Sequence, residues 1–138
     1  MKPALLDTGV VVAMLDRSEA YHARCVSALD DLGGPLVTCE AVIVESCFLL
    51  RRLPGAIGRV LENVERGIFQ IPFQISRSAH GVRNLMNKYR DRPIGFADAC
   101  LIQLADDLDT GDILTLDGDF RTYRWRKTRP FHLLVELS

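Results

Sequence analysis

Four carboxylates stand where a soluble protein has little structural use for them. Asp7 ends the apolar run that starts at Pro3, and Asp117 follows the run Ile113–Leu116, so each is expected at the C-terminal end of a strand. In open α/β sheets that edge is where ligands bind, because loops and helix N-termini converge there. Glu45 has Ala41, Val42, Phe48 and Leu49 as its neighbours three and four residues away, which puts its carboxylate on an apolar stripe of a helix. Asp98 is alike, with Leu101, Ile102 and Ala105 following at helical spacing. A buried carboxylate without a partner is costly enough that it protonates or pairs. Singly, each has a plain explanation: Glu45 pairs with Arg51 or Arg52, and Asp98 caps its own helix in favour of the dipole. Together they describe one acidic pocket. Like charges a few ångströms apart repel by about 4 kcal/mol per pair at an effective dielectric of 20. The remedy is a hard divalent cation, Mg²⁺ or Mn²⁺, with oxygen ligands and open positions for a phosphate. That chemistry is metal-assisted hydrolysis of a phosphodiester.

The elements that must position these acids alternate. Pro3–Asp7 reads as a short buried strand, and Thr8 as the N-cap of a helix through Leu15. Ser18 caps a second helix, stopped by Gly33-Gly34-Pro35. Leu36–Thr38 is a strand, followed by a helix over about 40–53, a break at Pro54-Gly55 and another amphipathic helix ending near Gly67. Phe69–Phe73 reads as an edge strand, since Pro72 cannot donate to a central ladder. Ser76 opens a helix to about Asp91, Pro93-Ile94-Gly95 separates it from a helix Phe96–Leu108, and strands follow at Asp112–Leu116 and Phe131–Leu134. This alternation predicts one α/β domain over 1–138 with a mainly parallel central sheet flanked by helices.

Composition narrows the class further. The chain has 138 residues, 48% hydrophobic and 25% charged, enough for one ordinary core and close to the average for globular proteins. A net charge of −1 selects no partner, so only local clustering can. The longest apolar run falls far short of the roughly 20 residues that a membrane span needs. The N-terminus enters a core strand directly, leaving no room for a signal peptide. Cysteines at 25, 39, 47 and 100, with no C-x-x-C pair and no neighbouring histidine, read as reduced thiols of a cytoplasmic protein rather than a zinc site.

Two other catalytic readings fail on these grounds. Asp7-Thr8-Gly9 is the active-site triplet of aspartic proteases, but those folds are nearly all β. An aspartyl-phosphate phosphatase needs D-x-D-x-T after its first strand, and position 9 is Gly.

The segments L-L-D-T-G-V-V-V-A-M-L-D (5–16), A-V-I-V-E-S (41–46), F-A-D-A-C-L-I (96–102) and L-T-L-D-G-D-F (114–120) resemble, in order and spacing, the four motifs of PIN-domain ribonucleases. The tail D-F-R-T-Y-R with a later F-H-L-L is similar to that of VapC-type toxins of toxin–antitoxin pairs. The resemblance runs from Leu5 to about Leu134. It implies a compact Mg²⁺/Mn²⁺-dependent endoribonuclease, dimeric and held inactive by a cognate antitoxin. It also implies in-line attack of metal-activated water on RNA, leaving a 5′-phosphate and a 3′-hydroxyl. Carried over, Asp7, Glu45 and Asp98 are the core acidic ligands and Asp117 the fourth, all four counted as catalytic. Asp119 matches a more variable outer acid. Thr8 and Thr115 are candidates for orienting a carboxylate or a metal-bound water, against capping for Thr8 and plain strand surface for Thr115, while Ser46 points away from Glu45. Gly118 departs from the pattern, where a basic or polar side chain is common. The non-catalytic alternative is a PIN-type protein-binding or regulatory module; degenerate members lose acids, and here all four positions hold one.

A rim for RNA is readable in Arg121-Thr-Tyr-Arg-Trp-Arg-Lys-Thr-Arg129, where Arg121, Arg124, Arg126 and Lys127 could track phosphates while bases stack on Tyr123 and Trp125. The plain alternative is a solvated loop whose rings pack on the sheet edge. Arg51, Arg52, Arg59 and Arg66 offer further cations for substrate or an acidic antitoxin segment. The helices 40–53 and 55–67 carry surplus apolar positions, Val44, Phe48, Leu50 and Ile57, which is the mark of an interface such as a homodimer.

Overall fold

The computed structural model describes residues 2–92 and 94–137, so Pro93 of the expected separator lies outside the described residues. Five strands form one parallel sheet: β1 (Ala4–Leu6), β2 (Leu36–Val37), β3 (Phe69–Gln70), β4 (Asp112–Leu114) and β7 (His132–Leu133), in the order β3-β2-β1-β4-β7. The helices are α1 (Thr8–Leu15), α2 (His22–Asp30), α3 (Glu40–Leu49), α4 (Ala56–Glu65), α5 (Ile75–Lys88) and α6 (Phe96–Leu108). A 3₁₀ turn (Gly118–Arg121) and an antiparallel ribbon of β5 (Arg124–Trp125) and β6 (Arg129–Pro130) complete the chain. No helix among the described residues is long and apolar enough to cross a membrane.

The central strand β1 is fully buried, as a parallel sheet covered by helices requires. The connections from β1 through β4 run through helices, while β4 reaches β7 through the 3₁₀ turn and the ribbon. Leu5 and Leu6 in β1 pair with Ile113 and Leu114 in β4, and all four are fully buried. Two threonines satisfy the backbone where strands end. Thr38 Oγ1 donates to the Leu6 carbonyl (2.7 Å) and Thr110 Oγ1 to that of Pro3 (2.8 Å). Seven apolar residues of α6, from Ala97 to Ala105, are buried, so this helix is core along most of its length. Its bounds coincide with the sequence expectation; β3 is an edge strand as expected, but it ends at Gln70, short of the expected Phe73, so Pro72 lies outside the ladder.

Several local expectations are corrected. Asp7, not Thr8, is the N-cap of α1: it keeps extended backbone and accepts from Thr8 N–H. Ser18 does not cap α2; its N–H and Oγ bond to Asp16 Oδ1 (3.0 and 2.6 Å), and α2 begins at His22 without a side-chain cap. α3 and α4 stop short, at Leu49 and Glu65, and β4 ends at Leu114 so that Thr115 and Leu116 lead out of the sheet. Leu50 is buried rather than surplus, whereas Val44, Phe48 and Ile57 are exposed.

Candidate active site

β1 and β4 are neighbours at the centre of the sheet, so the residues that follow them emerge side by side. The Asp7 N–H still donates to the Leu114 carbonyl (3.0 Å), which extends the ladder one step and fixes where its side chain starts. Both carboxylate oxygens are then used: Oδ1 accepts from Thr8 N–H (2.8 Å) and Oδ2 from Thr115 Oγ1 (2.7 Å). Thr115 Oγ1 in turn accepts from the Asp117 N–H (3.0 Å). Asp117 caps the 3₁₀ turn, its Oδ1 taking the Asp119 N–H (2.9 Å). From the facing helix, Glu45 Oε2 accepts from Thr8 Oγ1 (3.1 Å). Thr8 and Thr115 thus orient Glu45 and Asp7, roles the sequence offered as candidates.

Asp98 enters from the first turn of α6. Among the described residues its carboxylate accepts no hydrogen bond, and Gly95 takes the cap position without a side chain. The capping explanation for Asp98 therefore does not hold. Glu45 likewise makes no ion pair with Arg51 or Arg52; Arg51 instead bonds the Phe48 carbonyl (2.7 Å) and lies 4.0 Å over that ring. The apolar stripe bearing Glu45 straddles the surface, with Val42 buried but Phe48 60% and Leu49 58% exposed, and Glu45 itself is an exposed residue. Helical spacing shows which residues share a face and is silent on which face is covered.

Asp7, Thr8, Glu45, Asp98 and Asp117 line one cleft of about 400 Å³. Burial raises the Asp7 carboxyl above its ordinary pKa, against the hydrogen bonds from Thr115 and Thr8, with Asp117 and Glu45 adding to the rise. Asp98 is pushed up to about 7, first by burial, then by the charges of Asp7, Asp117, Glu45 and Asp119. Both shifts come first from burial, with like charge adding to them, and buried acids crowded with other acids are what a site for a positive ligand presents. Asp119 does not line the cleft, yet its charge reaches Asp98.

The donor set is all oxygen, from four elements, which suits a hard divalent cation and excludes a soft one. Among the described residues no three acidic, histidine or cysteine side chains are preassembled as a closed ligand set. Repulsion between the carboxylates opposes such closure until a cation offsets it.

The basic segment behaves differently from its expectation. Tyr123 and Trp125 are buried, 5% and 6% exposed, so bases cannot stack on their faces. Tyr123 packs edge-on against Tyr89 and Phe120 (both 5.1 Å), and Trp125 Nε1 donates to the Pro130 carbonyl (3.2 Å). Arg124 bonds the carbonyls of Arg121 and Tyr123 (2.9 Å each). Arg126 meets Asp106 and Asp109, and Lys127 completes the turn. Arg121 remains exposed, its guanidinium reaching over Gly118 beside Asp117. Sequence reasoning missed Tyr89 and Arg92, which border the cleft's neighbourhood and belong to no motif.

Comparison with known proteins agrees with this architecture. The family model described as PIN domain matches residues 4–126. Ribonuclease VapC26 of Mycobacterium tuberculosis is 30% identical over 115 residues, 82% of this chain and 85% of that protein. The crystal structure of Mycobacterium tuberculosis VapC20, a toxin that cleaves the sarcin–ricin loop, superposes with a TM-score of 0.80 at 18% identity, covering 92% of this chain and 99% of that one.

Proposed function

The chain belongs to the PIN-domain family, and on that footing we propose that it is an endoribonuclease, the toxin of a toxin–antitoxin pair acting in the cytoplasm. The observation that carries this reading is Asp98: a half-buried carboxylate raised to about 7 among other acids, with no described hydrogen-bond donor of its own. A ribonuclease relative, 30% identical over 82% of this chain, supports RNA as the substrate.

Asp7, Glu45, Asp98 and Asp117 would hold Mg²⁺ or Mn²⁺, whose charge would compensate buried carboxylates that burial first, and like charge second, disfavours. When bound, such an ion supplies Lewis-acid neutralisation of a phosphodiester and makes water a better nucleophile. The chain's own work is positional. Thr115 and the Thr8 amide fix both oxygens of Asp7, and the Thr8 hydroxyl fixes Glu45. Asp98, which accepts no hydrogen bond among the described residues, would move toward the ligand or take a proton at a carboxylate oxygen. Arg121, exposed and close to Gly118 beside Asp117, is a cation of this segment left to meet a phosphate, since Arg124 and Arg126 are already engaged by carbonyls and acids of the chain.

The cognate antitoxin and a second copy of this chain are the proposed protein partners. The outward apolar face of α3 and α4, with Val44, Phe48, Leu49, Ile57 and Leu61 exposed beside Glu45, supports a covered surface there. Incubation with structured and single-stranded RNA, with Mg²⁺ or with EDTA, tests the function. Cleavage in Mg²⁺ leaving 5′-phosphate ends, and none in EDTA, is expected. RNA cut equally in excess EDTA removes the metal, and RNA bound but never cut returns the chain to a binding module. Light scattering at micromolar concentration checks the dimer.

A further inference from the structure

Next to the acidic cleft lies a smaller hollow of about 210 Å³, bounded by Tyr89, Arg92, Asp119, Thr122 and Tyr123. Its walls are stiff. Tyr123 is buried and clamped edge-on between Tyr89 and Phe120, and the Tyr89 hydroxyl accepts from Arg124 N–H (3.1 Å). Thr122 Oγ1 donates to the Asp119 carbonyl (2.8 Å), which leaves the Asp119 side chain uninvolved.

The hollow carries opposite charges that do not neutralise each other. Among the described residues, neither the Arg92 guanidinium nor the Asp119 carboxylate forms an ion pair or a hydrogen bond. A fork of donors and a pair of acceptors therefore border the same space without being paired to each other. The space is smaller than the about 300 Å³ at which pockets for drug-sized molecules begin, and suits one planar ring system. It adjoins the cleft: burial first, then the charges of Asp98, Asp119 and Asp117, push the Tyr123 phenol up to about 12, while Arg92 pulls it down.

Base-edge chemistry selects the occupant. Guanine alone among the RNA bases sets two neighbouring N–H donors, N1–H and N2–H₂, against two carboxylate oxygens. Its adjacent O6 and N7 accept from a guanidinium. Adenine and cytosine offer one amino group each, and uracil a single imino hydrogen between two acceptors. We propose that this hollow is a guanine-selecting subsite, in which Asp119 accepts from N1–H and N2–H₂ of a guanine flanking the bond to be cut and Arg92 donates to its O6 and N7. The half-buried ring of Tyr89 adds an aromatic surface at its edge. The subsite rests on the nuclease reading above, and it turns that reading from a general RNA hydrolase into a sequence-selective one.

The test has two arms. In the first, random-sequence RNA is cut in Mg²⁺ to equal small extents by the wild type, Arg92→Gln and Asp119→Asn, and the ends are sequenced. The wild type is expected to enrich guanine at one fixed position beside the cut. Each variant should lose that preference by on the order of tenfold. Enrichment of another base there, no enrichment, or guanine enrichment that survives both substitutions overturns the subsite and leaves the nuclease standing. The second arm needs no cleavage: the four ribonucleoside 5′-monophosphates are titrated into the metal-free protein in EDTA while NMR follows Tyr89, Arg92 and Asp119. Selective shifts with the guanine nucleotide, lost in Arg92→Gln, support the subsite even if no RNA is cut. Equal or absent shifts count against it.

Discussion

Asp98 accepts no hydrogen bond from any described residue, whereas in the ribbon β5–β6 nearly every charged group is already engaged. There Arg124 spans two carbonyls, Arg126 and Arg129 share Asp109 (3.6 and 3.8 Å), and Arg129 lies over the Trp125 ring (5.1 Å). Both regions are rich in charge, and both attract attention as binding surfaces. The difference lies in what the fold has left unpaired. Groups whose partners come from the chain hold the chain together, and groups crowded with like charge wait for something that is not part of it.

The sharpest way to break this comparison is Asp98→Asn. Cleavage should fall at least about a hundredfold, since several kcal/mol of charge stabilisation depend on the acid set. Stability should move the other way. Asp98 titrates near 7 when folded, against about 4 unfolded, so the folded state binds more protons between those values. Its stabilising contribution is complete below pH 4 and is lost as pH rises through 7. At neutral pH without metal, the asparagine variant should melt a few degrees higher, about 1 kcal/mol once solvent screening of this half-exposed group is allowed for. A variant that melts lower in EDTA and still cuts RNA would make Asp98 structural after all.

Next in size is the metal. At about 100 times its dissociation constant, Mg²⁺ or Mn²⁺ should add about 2.7 kcal/mol to the wild type in thermal melts, and markedly less to Asp98→Asn. Thr115→Val follows. It strips the donor from Asp7 and the acceptor from the Asp117 N–H inside the core, which should cost about 1–3 kcal/mol in urea unfolding and slow cleavage. Thr115→Ser should restore both.

In the ribbon the expected effects are structural and smaller. Trp125→Phe loses the bond to Pro130 and some packing, about 1–2 kcal/mol, with cleavage unchanged. A loss of RNA binding without loss of stability would show instead that the indole meets bases. Arg126→Ala, which removes one exposed ion pair with Asp109 and an exposed hydrogen bond to the Asp106 carbonyl, should shift stability by less than about 0.5 kcal/mol.

The cleft was largely legible in the sequence because strand ends and helical spacing locate side chains directly. Asp7, Asp98 and Asp117 needed nothing more. Glu45 was placed on the right face with the wrong exposure, since apolar neighbours do not show whether that face meets the core or a partner. Of the two readings the sequence offered for the ribbon, packed rings hold and stacking rings do not, while the hairpin itself was not legible. Its turn holds Arg126 and Lys127 at φ 44° and 68°, the left-handed region, without the Asn-Gly pair that ordinarily announces such a turn. The Arg126 N–H bond to Asp106 Oδ1 (2.6 Å), twenty residues back, holds it there. Local composition carries no trace of that contact. The Arg92 hollow was hidden for the same reason, its walls coming from α5, the loop before α6 and the 3₁₀ turn.

The bond from Thr115 to Asp7 joins residues 108 positions apart, across two central strands that lie side by side. Parallel pairing over that distance forms late, because the intervening loop entropy must be overcome before the contact is gained. While the chain is being made, Asp7 therefore emerges early and waits. Until β4 and the residues through Asp117 have left the ribosome, the carboxylates have no common place to gather. An RNA-cutting protein made amid ribosomal and transfer RNA would thus remain inert through most of its own synthesis, with the order of its strands acting as a timer.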